Sequence, residues 1–146
     1  MGMTHCKPST SPKLDKANME GDDEPFHDAS LYRTVTCKLI YPAKRRRDIQ
    51  STVRWLCKRL RNPDVKAGRQ LTKLLRYLQG TKHLANYFPK EGAVDKIEGF
   101  CDGDWAGDEI DRKSVSGAAV VVGQCCLHSH SRGAPTQSLS SGEQES

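Results

Sequence analysis

The sequence predicts an α+β chain, with a basic amphipathic helical segment first and a small antiparallel β-sheet after it. Three observations carry this reading. Apolar residues recur at helical spacing from about residue 29 to residue 79. After Gly80 the period changes toward alternation. Residues 115–122 (VSGAAVVV) then form a strong strand signal, followed by a two-residue turn at Gly123-Gln124 and a second strand-like run. The expected organisation is a flexible lead-in at 1–28, a helical segment at 29–92 and a sheet-bearing segment at 93–146.

The lead-in is polar, holds Pro8, Pro12 and Pro25, and shows no apolar period. The first helix is expected over 29–42, with Asp28 or Ser30 as its N-cap, Tyr32, Val35 and Leu39 on one face and Pro42 ending or kinking it. A second helix is expected over 48–61, where Ile49, Val53, Leu56 and Leu60 form one stripe and Arg54, Lys58 and Arg61 another. Asn62-Pro63 breaks it. Residues 64–79 repeat the design, with Ala67, Leu71, Leu74 and Leu78 against Lys66, Arg69, Lys73 and Arg76, and Gly80 as the residue just past the helix end. Two such helices joined by a short break should pack antiparallel with both basic stripes outward.

Leu84 to Phe88 suggest a short strand closing at Pro89. Residues 96–102 (KIEGFCD) read as a strand ending at an acidic turn. Residues 125–131 return from the Gly123-Gln124 turn, with Cys125, Leu127 and Ser129 expected on one face and Cys126, His128 and His130 on the other. Ser140 and Glu143 match a capping box that opens a further helix.

Only 36% of the 146 residues are hydrophobic and 6% aromatic, which predicts a thin core. The net charge of +5 is unevenly placed: residues 38–76 hold thirteen Lys or Arg against Asp48 and Asp64. Such a block suits a polyanionic partner, the phosphate backbone first, while an ordinary solvated helix face explains the charge alone equally well. The six cysteines show no CxxC pair and no regular spacing, so reduced thiols in an intracellular setting are expected, not a disulfide framework. Cys126, His128 and His130 are soft ligands without an evident fourth, which argues against zinc. No apolar run approaches the roughly 20 residues of a membrane span, and no membrane partner is expected.

Two acidic clusters are candidates for chemistry. Asp102, Asp104 and Asp108 follow a strand, and Glu143 and Glu145 open a helix. A strand-end Asp and a first-turn Glu converging across a small sheet would offer oxygen ligands to Mg²⁺, which binds carboxylates together with substrate phosphate. Acids at turns and caps are common, so spacing alone does not decide this.

The wording of the motifs adds to it. Gly99-Phe100-Cys101-Asp102-Gly103-Asp104-Trp105-Ala106-Gly107-Asp108, then Asp111 to Gly117, then Leu139-Ser140-Ser141-Gly142-Glu143-Gln144-Glu145 resemble Ty1/copia-type retrotransposon Pol polyproteins. Leu31-Tyr32-Arg33, Lys38-Leu39-Ile40-Tyr41, Asp48-Ile49 and Leu75 to Thr81 agree upstream. The resemblance implies a segment joining the end of a reverse transcriptase region to the start of a ribonuclease H-like domain, truncated to three strands and the start of its first helix. It implies that Asp102 and Glu143 are catalytic metal-binding carboxylates for Mg²⁺ in a complete parent domain that cleaves RNA in RNA–DNA hybrids. It also implies that the rest of the Pol polyprotein is a partner and that the isolated chain is inactive. Arg54, Lys58, Arg61, Lys66, Arg69, Lys73 and Arg76 are the expected nucleic-acid contacts, made to phosphates. The competing reading is a non-catalytic basic binding module, or a decayed element remnant. Cys37 departs from the pattern, standing where these polyproteins usually have Gly.

Overall fold

The structure is a computed structural model, described here for residues 6–13, 24–86, 88, 96–104 and 113–133. It divides into two compact units, Met1–Ala85 and Asn86–Ser146. The elements in order are helix α1 (Ala29–Ala43), a 3₁₀ turn (Arg47–Ile49), helices α2 (Gln50–Lys58) and α3 (Val65–Gly80), and strands β1 (Ile97–Asp104), β2 (Val115–Val122) and β3 (Cys125–Gly133). Among the described residues no helix is long and apolar enough to cross a membrane.

In the first unit, α1 starts at Asp28, whose Oδ1 accepts the Leu31 N–H at 2.8 Å, satisfying an amide that the helix itself leaves without a partner. Tyr32, Thr36, Leu39 and Ala43 form its buried row, at the three- and four-residue spacing of one helix face. Pro42 lies one residue before the end, where its missing N–H forgoes the helical bond to the Lys38 carbonyl. The Tyr32 hydroxyl donates to the Leu56 carbonyl at 2.9 Å, and Arg33 donates to the carbonyls of Leu60 and Arg61 at 2.8 and 3.0 Å. These bonds fasten α1 to the C-terminal end of α2.

The apolar stripes read from the sequence form the core. Ile49, Val53, Leu56, Ala67, Leu71 and Leu74 are buried beside Tyr32 and Leu39, and Val35, Leu60 and Leu78 pack on them half-buried. The antiparallel pair expected of α2 and α3 is a three-helix arrangement instead, because α1 packs against both and most closely against α2. The helix expected over 48–61 is also shorter. It opens as 3₁₀ turn and ends at Lys58.

Three further expectations are corrected. Residues 6–13 and 24–28, read as flexible lead-in, are held against α3: Gln70 Nε2 donates to the Pro12 carbonyl at 2.7 Å, and Val65 N–H donates to Glu24 O at 2.9 Å. Gly80 is the last residue of α3, not the residue beyond it, and Thr81 is the cap. Its missing side chain serves packing, since a Cβ there would come within 2.8 Å of Pro8 Cβ. Residues 84–86 form no strand, and Tyr87 lies outside the described residues.

The second unit is an antiparallel sheet of order β1-β2-β3. Gly123 supplies the turn between β2 and β3 with φ 58°, a left-handed conformation that glycine adopts without a Cβ penalty. Val120 pairs with His128 but Val121 pairs with Cys126, so Leu127 is an extra residue, a bulge in β3. The bulge overturns the simple alternation. Register places Cys125 on the face of His128 and His130, and moves Cys126 to the face of Ser129. The buried apolar side chains among the described residues all lie between Tyr32 and Tyr77, in the helical unit. In the sheet Ile97, Phe100 and Leu127 stay more than half exposed.

Candidate nucleic-acid interface and carboxylate site

The first candidate site grows from one glycine. Gly68 sits inside α3, where Gly costs about 1 kcal/mol against Ala. The Phe26 ring occupies the volume its side chain would fill, packs edge-on to Tyr32 (6.1 Å between centroids) and lies tilted against His27 (4.3 Å). The Ser9 amide reaches the Arg76 carbonyl at 3.4 Å, which lays the 7–9 stretch beside the C-terminal half of α3. Between these pieces lies an open groove of about 860 Å³. Lys7, Arg69, Lys73 and Arg76 supply its cations, and Pro8, Phe26 and Val65 its apolar lining. Arg69, Lys73 and Arg76 follow at four- and three-residue steps, so they stand in one row along the helix. A row of cations over an apolar floor matches a phosphate backbone with its sugars and bases beside it.

The seven cations named from the sequence do not share one surface. Arg69, Lys73 and Arg76 line the groove. Lys66 is half-buried on α3 outside it, and Lys58 and Arg61 are exposed on and just after α2. Arg54 departs most from its expected outward role. It is half-buried, and its Nε and Nη1 are cut off from solvent with no hydrogen-bond partner among the described residues. Lys7, Phe26 and His27 were missed by sequence reasoning. Gly68, a poor helix former in a strongly patterned helix, was the available signal that another chain segment presses there.

The cations nearest the core are used structurally. The Arg59 guanidinium lies 3.4 Å over the Trp55 ring and 3.8 Å from Asp64. Arg46 clasps Asp48 through Nε and Nη2 at 3.0 and 2.7 Å, and the Tyr77 hydroxyl donates to the same carboxylate at 2.7 Å. The Arg46 hydrogen bonds hold the Asp48 carboxyl below the usual range, and the Asp48 hydrogen bond raises Tyr77. Trp55 and Tyr77 therefore belong to the packing of the helical unit, with Tyr77 buried.

The second candidate site is the carboxylate pair. Asp102 is exposed on β1 and faces Gly117 of the central strand. Because Gly117 has no side chain, the cross-strand position beside the carboxylate is open: a Cβ there would come no nearer than 3.9 and 4.0 Å to the backbone oxygens of Asp102 and His130. An exposed carboxylate there is a suitable oxygen donor for a hard cation, though a single one is not a site. Glu143 and the Ser140–Glu143 capping box lie outside the described residues, as do Trp105 to Arg112. Among the described residues no three His, Cys, Asp or Glu side chains stand together as a metal cluster.

Several proteins of known sequence are similar to the chain. It is 32% identical over 144 residues to an uncharacterized mitochondrial protein, AtMg00810, of Arabidopsis thaliana, covering 99% of the chain and 60% of that protein. It is 31% identical over 122 residues to a retrovirus-related Pol polyprotein from transposon RE1 of the same plant, covering 83% of the chain but only 8% of the polyprotein. It is 34% identical over 100 residues to the secreted RxLR effector protein 161 of Plasmopara viticola, covering 68% of the chain and 70% of that protein. No family model matches the chain, and no solved structure matches it.

Proposed function

We propose that the chain, which is similar to retrotransposon-related Pol polyproteins, is the segment joining the end of the reverse transcriptase region to the start of a ribonuclease H-like domain. In this reading the helical unit grips an RNA–DNA hybrid by its phosphates. The sheet unit contributes Asp102 and Glu143 to an Mg²⁺ site in the whole polyprotein, which cleaves the RNA strand. Mg²⁺ would polarise the scissile phosphate and activate water.

The observation that carries the binding half is the groove on α3, where Lys7, Arg69, Lys73 and Arg76 surround Phe26. Contacts of this kind are sequence-independent and release counterions, so affinity should fall steeply with salt. The supporting observation for the nuclease half is the open position of Asp102 opposite Gly117. The test is anisotropy of a labelled RNA–DNA hybrid titrated with the full chain at several salt concentrations. Binding at low salt that weakens with added salt, and that the triple variant R69A/K73A/R76A loses, supports the reading. Binding insensitive to salt, or undiminished in that variant, refutes it.

A further inference from the structure

A pair of cysteines in the helical unit lies outside everything assigned above. Cys37 is exposed on α1, and Cys57 is half-buried on α2. The connection between α1 and α2 is short, so the C-terminal end of α1 lies near the start of α2. At the opposite end, Arg33 reaches the carbonyls of Leu60 and Arg61. The two helices therefore run antiparallel. One turn along α1 from Arg33 is Cys37, and Cys57 lies in the last turn of α2, three and four residues before Leu60 and Arg61, which follow that helix. The bonds from Tyr32 and Arg33 to the carbonyls of Leu56, Leu60 and Arg61 thus hold the stretch of α1 that carries Cys37 against the stretch of chain that carries Cys57.

We propose that Cys37 and Cys57 are a modification site, forming a reversible disulfide that ties α1 to α2 when the chain meets a hydroperoxide. The exposed Cys37 thiolate attacks the peroxide oxygen. The O–O bond breaks, water leaves after protonation, and Cys37 carries a sulfenic acid. The Cys57 thiolate then attacks Cys37 Sγ, the S–O bond breaks and a second water leaves. Two thiols and one hydrogen peroxide become one disulfide and two waters, so the thiols are oxidised and the peroxide reduced. Burial pushes the Cys57 thiol up, and the nearby Cys37 adds to the shift. That order of causes suits Cys57 to the second, resolving step, and the influence of Cys37 on it is a further sign that the sulfurs are near one another. A disulfide of ordinary geometry needs the two Cα atoms roughly 4.4–6.8 Å apart, which restricts it to directly packed elements, as α1 and α2 are.

The experiment treats the whole chain with hydrogen peroxide, blocks remaining thiols with iodoacetamide and maps the tryptic peptides by mass spectrometry. The expected result is a Cys37–Cys57 cross-linked peptide that dithiothreitol cleaves, with both thiols protected from alkylation together. In Cys37→Ser, an exposed and conservative change, Cys57 should remain open to alkylation after peroxide. A second variant with Cys6, Cys101, Cys125 and Cys126 all changed to Ser should still form the bond. Cys57 left alkylatable in the oxidised parent chain would overturn the proposal. So would its bonding to one of the other four cysteines, or Cys37 ending as sulfinic acid or as a disulfide between two chains.

Discussion

The Phe26 ring fills the space where a side chain at Gly68 would stand, so a residue from the polar N-terminal stretch completes the core of a helix more than forty positions away. This contact sets the floor of the basic groove, and the groove is the feature on which the binding proposal rests.

Gly68→Ala should therefore destabilise the helical unit although alanine is the better helix former. The methyl gains about 1 kcal/mol of helix propensity but forces Phe26 out at a cost of roughly 1–3 kcal/mol. Urea denaturation should place the variant below the parent. In Phe26→Ala the sign should reverse, with Gly68→Ala now stabilising, because the obstructing ring is gone. Equal effects in both backgrounds would mean that the ring is not what reserves the space.

The Arg46–Asp48–Tyr77 contact gives a sign for the acid side. Arg46, then Tyr77, holds the folded Asp48 carboxyl below its unfolded value near 4. The contribution is fully present above the unfolded pKa and is lost as pH falls through the lowered folded one. Urea midpoints should drop for the parent chain below about pH 4. Asp48→Asn should start lower at neutral pH and show a shallower fall through the same window.

The groove separates two kinds of arginine that look alike in the sequence. Each phosphate contact contributes about 0.9 to the slope of log affinity against log salt. R69A/K73A/R76A should then reduce that slope for an RNA–DNA hybrid by roughly 2–3, whereas Arg54→Ala, at a half-buried site away from the groove, should leave it unchanged. An Arg54→Ala slope that falls as far as a groove variant's would return Arg54 to the binding surface.

Asp102→Asn should abolish Mg²⁺-dependent hybrid cleavage by a complete parent polyprotein, because a charged oxygen ligand of the metal is lost. Hybrid affinity without metal should be unchanged, since Asp102 lies in the sheet unit and the groove in the helical one. Cleavage retained in this variant would remove Asp102 from the metal site.

The stripes at Ile49, Val53 and Leu56 and at Ala67, Leu71 and Leu74 were legible because helix period is a local property, and the core uses these residues as the pattern requires. The β2–β3 hairpin was legible for a related reason: a two-residue turn with a glycine fixes the strands on either side of it. The bulge at Leu127 was not, since an extra residue in one strand shows only against the register of its partner.

By itself the sequence determined where the main helical stripes and the β2–β3 hairpin lie, where the charge concentrates and which polyprotein family the chain resembles, because these follow from neighbours along the chain. Only the tertiary structure decided which cations share a surface. Arg54 and Arg76 carry the same charge in the same kind of stripe, yet one is drawn against the helical unit and the other lines a groove built by Lys7 and Phe26. That choice depends on contacts between residues far apart in the chain, which helical period does not encode.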